Sequence, residues 1–283
     1  DAFDTLPLGG IAITGIAGLG TWAFSTTLVG GPYTTITAPA DASAVLLASN
    51  AFVRYTPAAN ETDNATITYR AWDQTSGTNG ATGVSTSING GTTAFSTATS
   101  VATHAVAPVN DAPVLATLPS PVLAVVAEDA AAPLPGQAIG TLVSSLVDFA
   151  APATGLNNVT DPDVAPLLGI AVTNVDTSNG AWFYTIDGGA NWLSMGGVTD
   201  SSARVLAADA NTRVYFQPTA NFNGPVTNAL TFRAWDQTDV VTLSHTNGSL
   251  ADTSLANSGG QTAFSSAFRT STTSSRARGQ TRG

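Results

Sequence analysis

The sequence predicts an all-β protein built of tandem antiparallel β-sandwiches, and three observations carry that prediction. The first is an internal repeat: Tyr-Arg-Ala-Trp-Asp-Gln-Thr at 69–75 returns as Phe-Arg-Ala-Trp-Asp-Gln-Thr at 232–238. Gly10-Ile11-Ala12-Ile13-Thr14 likewise matches Gly169-Ile170-Ala171-Val172-Thr173, and Gly91-Thr92-Thr93-Ala94-Phe95-Ser96 matches Gly260-Gln261-Thr262-Ala263-Phe264-Ser265. Matches that keep their order across the chain mark one domain copied. The second observation is period-2 alternation, clearest in Trp182-Phe183-Tyr184-Thr185-Ile186, Arg213-Val214-Tyr215-Phe216 and Leu230-Thr231-Phe232-Arg233-Ala234, where every second side chain would face a core. The third is the punctuation between such runs, as at Asn179-Gly180, Asp187-Gly188-Gly189, Asn223-Gly224-Pro225 and Asn89-Gly90-Gly91. Many short strands broken by turns point to sandwiches with Greek-key connections.

Taken in order, residues 1–109 form the first copy. Residue 1 falls where the second copy has already reached about residue 161, so this sandwich is expected to lack its N-terminal strands. A groove with unpaired backbone groups would result, to be filled either by chain upstream or by a strand from a neighbouring subunit. Val106-Ala107-Pro108-Val109-Asn110-Asp111-Ala112-Pro113-Val114 is the connector, because its prolines suppress regular pairing. Residues 110–268 make a complete copy, with one short helix or turn expected at 141–147. Each copy carries a long stretch rich in Ser, Thr, Gly and Asn after its Trp-Asp, at 76–93 and 239–261, expected to hold variable contacts or disorder. Residues 269–283 read as an Arg/Ser-rich tail. Trp72 and Trp235 should occupy equivalent positions, with Ile67, Tyr69 and Ala71, or Leu230, Phe232 and Ala234, on the opposite side of the strand. One of the two faces must be core.

Composition removes several mechanisms. All nine basic residues are Arg, so no Lys is present for a Schiff base or a phosphate-binding P-loop. With no Cys there is no thiol nucleophile, disulfide or thiolate zinc site. His104 and His245 stand apart from one another, and no Gly-x-Ser-x-Gly elbow occurs. Of nineteen acids seventeen are Asp, a residue that favours turns and offers hard oxygen ligands, which suits loops that bind Ca²⁺. Five Arg face all nineteen acids before residue 269, whereas Arg269, Arg276, Arg278 and Arg282 lie beyond it. So acidic a body argues against nucleic-acid binding. No apolar run reaches the roughly 18 residues of a membrane span.

Val-Asn-Asp-Ala-Pro-Val at 109–114, Gln-Pro-Thr-Ala-Asn-Phe-Asn-Gly at 217–224 before a strand ending at Asp236, Glu128-Asp129, and Asp161-Pro162-Asp163 together resemble the bacterial cadherin-like tandem repeats of large surface proteins and adhesins. The resemblance covers most of 110–266, and 1–109 without its front. It implies immunoglobulin-like sandwiches, an extracellular or cell-surface location, Ca²⁺ near domain junctions, and a role in adhesion, biofilm or surface fibres. Carried over residue by residue, the metal candidates are Asn110, Asp111, Glu128, Asp129, Asp161, Asp163, Asp73 and Asp236. The alternative for each Asp is an Asx-turn or a solvated edge. Copy one departs from the pattern: Asn60-Glu61-Thr62-Asp63-Asn64 stands where the Asn-Phe-Asn-Gly turn should be, and Glu128-Asp129 has no counterpart.

Thr185-x-Asp187-x-Gly189-x-x-Trp192 resembles the Asp-box hairpin of sialidase-like propellers, yet a propeller needs several such blades at shorter period, so a stabilised hairpin is the stronger reading. The sequence thus predicts a non-enzymatic structural or adhesive segment of a secreted or surface-attached bacterial repeat protein. Its expected partners are other copies of itself or neighbouring repeats, with surface glycans as a further candidate; nucleic acid and membrane insertion in this segment are not expected. The competing expectations are a filament or sheath subunit assembled head-to-tail by strand complementation, a carbohydrate-binding module and an Asp-box glycosidase.

Overall fold

The computed structural model describes residues 9–27, 29–149, 155–238 and 245–277. Among these the chain is all-β: there is no α-helix, and the only helical turns are the 3-10 segments Val143–Ser145 and Leu255–Asn257. No helix among the described residues is long and apolar enough to cross a membrane. Contacts divide the chain into two units, Asp1–Pro108 and Val109–Gly283.

Unit 1 contains β1 (Gly10–Ala17), β2 (Thr21–Ser25), β3 (Thr34–Thr35), β4 (Val45–Ala48), β5 (Phe52–Thr56), β6 (Ala65–Trp72) and β7 (Phe95–His104). They form two sheets, ordered β4-β1-β6-β7 and β3-β2-β5, with all pairs antiparallel. Alternation sorts their side chains: Ile13, Val45, Leu47 and Ile67 from the first sheet share a core with Trp22, Phe24 and Tyr55 from the second. The intervening residues Ala12, Leu46 and Trp72 point the other way, into a second cluster with Ala44, Ala94 and Phe95. Both faces of the β4-β1-β6 part of this sheet therefore contribute to buried clusters.

The reason lies in the segment 76–93, expected to be variable or disordered. It crosses to the free edge of β4 and pairs there, with bonds from Gly80 N to Leu46 O (2.8 Å), Leu46 N to Ala81 O (2.9 Å) and Ala44 N to Val84 O (2.7 Å). Its glycines allow the close approach, since a Cβ on Gly77 would stand 2.4 Å from Leu46 Cδ1. Unit 2 repeats the arrangement through β18 (Leu250–Ala251), while residues 239–244 of its long stretch lie outside the described residues.

The other strands of unit 2 are β8 (Val114–Leu115), β9 (Val126–Ala127), β10 (Thr141–Leu142), β11 (Val159–Thr160), β12 (Gly169–Val175), β13 (Gly180–Thr185), β14 (Leu193–Ser194), β15 (Ala203–Ala207), β16 (Arg213–Pro218), β17 (Gly224–Trp235) and β19 (Arg269–Arg276). Its sheets run β18-β15-β12-β17-β19-β9 and β10-β16-β13-β14, with a β11-β8 pair beside them. The registers copy unit 1: Gly10 pairs with Trp72 and Ala48, and Gly169 with Trp235 and Ala207. Even the irregularity recurs, between Ile13 and Gly15 in β1 and between Val172 and Asn174 in β12. The shared core holds Ile170, Val172, Trp182, Tyr184, Phe216 and Phe232, and Val143 and Leu146 enter it from the short turn expected at 141–147.

One boundary is corrected. Residues 269–283 are not wholly a tail, because Arg269–Arg276 is β19, paired antiparallel with β17 and parallel with β9. Its Ser271, Thr273 and Ser275 are buried, so the strand is held by close approach of small side chains and not by an apolar stripe, which is why alternation did not reveal it. Residues 278–283, with Arg278 and Arg282, lie outside the described residues.

Candidate functional site

The repeated heptapeptide uses its polar groups for architecture. Arg70 donates from Nε to Asp41 Oδ1 (2.9 Å), from Nη2 to Asp41 Oδ2 (3.1 Å) and from Nη1 to the carbonyls of Ser96 (3.1 Å) and Thr97 (2.5 Å). That fork ties β6 to β7 and to the loop carrying Asp41, and the guanidinium holds the Asp41 carboxyl below its ordinary pKa. Arg233 repeats the pattern with the Ser265 and Ser266 carbonyls and with Asp200 at 3.6 Å. Asp73 and Asp236 each close an Asx-turn, accepting from the N–H and Oγ1 of Thr75 or Thr238 at 2.6–2.9 Å. Gln74 and Gln237, both at positive φ, reach back to the carbonyls of Gly9 and Leu168 just before the first strand of the copy. The sequence showed this motif twice without disclosing the buried arginine, whose signal was its return in a strand otherwise lined with apolar residues.

Five of the eight metal candidates come together in unit 2. Asn110 Nδ2 donates to Asp236 Oδ2 (3.0 Å) and to Thr262 O (3.1 Å). Asp111 N donates to Asp163 Oδ2 (3.1 Å), and Asp163 N to Asp161 Oδ1 (3.0 Å). Burial raises the pKa of Asp161, with the charges of Asp163, Asp236 and Asp111 adding to it despite an opposing bond from the Asp163 N–H. Asp236 is raised too, first by burial, with Asp163 contributing, against the bonds it accepts from Thr238 and Asn110. Asn110 Oδ1 and Asp161 Oδ2 are buried without a hydrogen-bond partner among the described residues. Such atoms are costly unless something satisfies them.

The other three candidates lie elsewhere. Asp129 Oδ1 accepts from Asn221 N (2.8 Å) and Glu128 Oε2 from Asn223 Nδ2 (3.3 Å), beside the start of β17, whereas Asp236 follows its end. At about 3.3 Å per residue that strand puts the two groups on the order of 40 Å apart. Glu128 and Asp129 thus cannot join the cluster, and Asp73 belongs to unit 1. Among the described residues no three His, Asp or Glu side chains already stand in ligand geometry. The charges of Asp163, Asp236 and Asp111 all reach Asp161, and Asp236 Oδ2 is already engaged by Asn110 Nδ2.

Compared with protein-family models, curated proteins and solved structures, the chain matches none.

Two remaining motifs have local explanations. Asp187 closes the β13–β14 hairpin, accepting from Asn191 N (2.9 Å), Asn191 Nδ2 (2.8 Å) and Thr185 Oγ1 (2.7 Å), bonds that lower its pKa to about 2. Half-buried Trp192 donates from Nε1 to Gln137 O (3.0 Å) and meets Tyr215 edge-on. Glu61, the residue that departs from the repeat's turn, is buried and staples unit 1. Its Oε1 accepts from the Tyr55 hydroxyl and from Leu19 N (2.8 Å), and its Oε2 from Ala58 N (2.9 Å). Burial alone would raise its pKa, but these bonds outweigh it and hold the group below 4.5. A depressed carboxyl stabilises the fold above its unfolded pKa, and that contribution is lost as pH falls through the folded value. We therefore expect Glu61→Gln to lower the Tm at pH 7, with the deficit shrinking below about pH 4.5. A deficit that stays constant from pH 7 to 2.5 would mean the charge has no part in the staple.

Proposed function

We propose that this chain is a segment of a secreted or surface-attached bacterial repeat protein, made of cadherin-like, immunoglobulin-type sandwiches. It serves structure or adhesion without catalysis, and unit 2 binds one Ca²⁺ at Asn110, Asp111, Asp161, Asp163 and Asp236. The observation that carries the reading is the convergence of these five residues around two unpartnered buried oxygens, Asn110 Oδ1 and Asp161 Oδ2. Carboxylate and amide oxygens drawn from a linker, a loop and a strand end are the donor set a hard cation requires. The residues fit Ca²⁺ better than a softer metal, since the set contains neither imidazole nor sulfur. When bound, the cation would offset the negative charge that Asp163, Asp236 and Asp111 place around Asp161. Asp111 and Asp163, already joined through backbone and side chain, would then fasten the linker to the body of unit 2. The repeated heptapeptide supports the structural part, because its Arg, Trp, Asp and Gln all serve packing, turns or strand ties.

The test is calorimetric titration of Ca²⁺ into the full chain and into the double variant Asp161→Asn, Asp163→Asn. We expect one site on the parent chain and at least tenfold weaker binding to the variant. In chelator the variant should be at least as stable as the parent, because it loses carboxylate repulsion; a merely structural role would make it less stable in both conditions. Equal calcium affinity for parent and variant would contradict the assignment.

A further inference from the structure

Unit 2 uses the stretch 110–128 as a strap over a surface whose counterpart in unit 1 carries no such strap among the described residues. Asn110 bonds to the Asp236 carboxylate and the Thr262 carbonyl, and Ala112 N to Gly260 O (2.7 Å). The strap continues past Ala116, whose carbonyl accepts from Arg269 Nε, to the outer edge of β19. Leu123 N bonds to Thr272 O (2.9 Å) there, β9 pairs with Ser275 and Arg276, and Glu128 N bonds to Arg276 O (2.7 Å).

The pairing registers supply the counterparts in unit 1. Asp73 stands for Asp236, Gly91 for Gly260, Thr93 for Thr262, and Thr103 for Thr272. At those positions unit 1 has an open groove of about 500 Å³, lined by Trp72, Asp73, Gly91, Thr93, Ala94 and Phe95 among others. Beyond it, no strand among the described residues pairs with the outer edge of β7, and residues 97–104 of β7 are exposed. In β19 alternate residues are buried instead.

We infer that this groove and the β7 edge form a docking site for the linker strap of another repeat of this kind, an extended segment with the chemistry of residues 109–128. Its Asn side chain would bond to Asp73 and to the Thr93 carbonyl, the amide two residues on would reach Gly91 O, and the following apolar stretch would add a strand beside β7. The occupant is chosen by the molecule's own second unit, where the same surface is covered in this manner. The inference needs only the internal repeat and neither calcium nor an extracellular setting.

The experiment adds a fluorescent peptide of residues 109–128 to the full chain and follows anisotropy and amide hydrogen exchange. Expected are saturable binding of one peptide per chain and slowed exchange over 97–104. Binding should weaken about tenfold with Asn110→Ala in the peptide, and by a similar factor with Asp73→Ala in the protein. Absence of saturable binding would overturn the proposal, as would slowing confined to 269–276, which would show exchange into unit 2. Protection of 97–104 without peptide, together with a doubled mass, would also overturn it by making a second copy of the whole chain the occupant.

Discussion

Replacing Trp235 with Ala is expected to cost about 3–5 kcal/mol, the range for deleting a large buried aromatic. The indole is 1% exposed and stands among Ala171, Ala203, Val205, Ala207, Ala251, Ala263 and Phe264. Most of these neighbours are alanines on paired strands, whose side chains are too short to fill the space. The cavity should therefore persist and the cost fall high in the range. Trp72 stands among Ala12, Ala44, Leu46, Ala94 and Phe95, where the longer Leu46 side chain can refill part of the space, so Trp72→Ala should cost less in unit 1. Denaturant unfolding of the single variants, with each unit followed through amide exchange, measures both. A cost below about 1 kcal/mol for Trp235→Ala would show that its burial contributes little.

Gly169→Val should rank next, at about 1–3 kcal/mol or more, because it overpacks a site that cannot yield. A Cβ at Gly169 would lie 2.6 Å from Trp235 Cε3 and 2.8 Å from the Leu206 carbonyl oxygen. The first contact is with a locked ring and the second with backbone in a central strand pair. Gly10 meets the same two obstacles in unit 1, Trp72 Cε3 at 2.7 Å and Leu47 O at 2.9 Å. The repeated Gly and the repeated Trp therefore form one packing unit. In a double-mutant cycle Trp235→Ala should remove part of the Gly169→Val cost, leaving the clash with Leu206 O. Strict additivity would contradict that coupling.

This pairing shows what the sequence could and could not reveal. Gly10 and Gly169, Trp72 and Trp235 were visible as repeats, and alternation marked β13, β16 and the end of β17 without a structure. That the strands β4, β1 and β6 bury side chains on both faces was not visible, because the cover is the polar segment 76–93, which has the composition of a loop and is held by backbone bonds to β4. The strand β19 stayed hidden for a similar reason: Ser271, Thr273 and Ser275 do not mark an inward face by hydropathy. Among the site residues, Asn110, Asp111, Asp161, Asp163 and Asp236 converge, while Glu128 and Asp129 are carried to the far end of β17 by the parallel pairing of β9 with β19. No local motif encodes that separation. The Asp41 and Asp200 partners of the buried arginines come from loops whose closeness to β6 and β17 exists only in the fold.

The most direct measurement on the central claim is residue-resolved hydrogen exchange and thermal unfolding of the full chain in about 10 mM Ca²⁺ and in chelator. At a Kd near 10⁻⁴ M, mass action supplies about 2.7 kcal/mol to unit 2. The account predicts a higher Tm in calcium and slowed exchange at 110–112, 161–163 and 236–238, with no change at 73–75. Identical unfolding in both solutions, or slowing at 73–75 to the same degree, would contradict it.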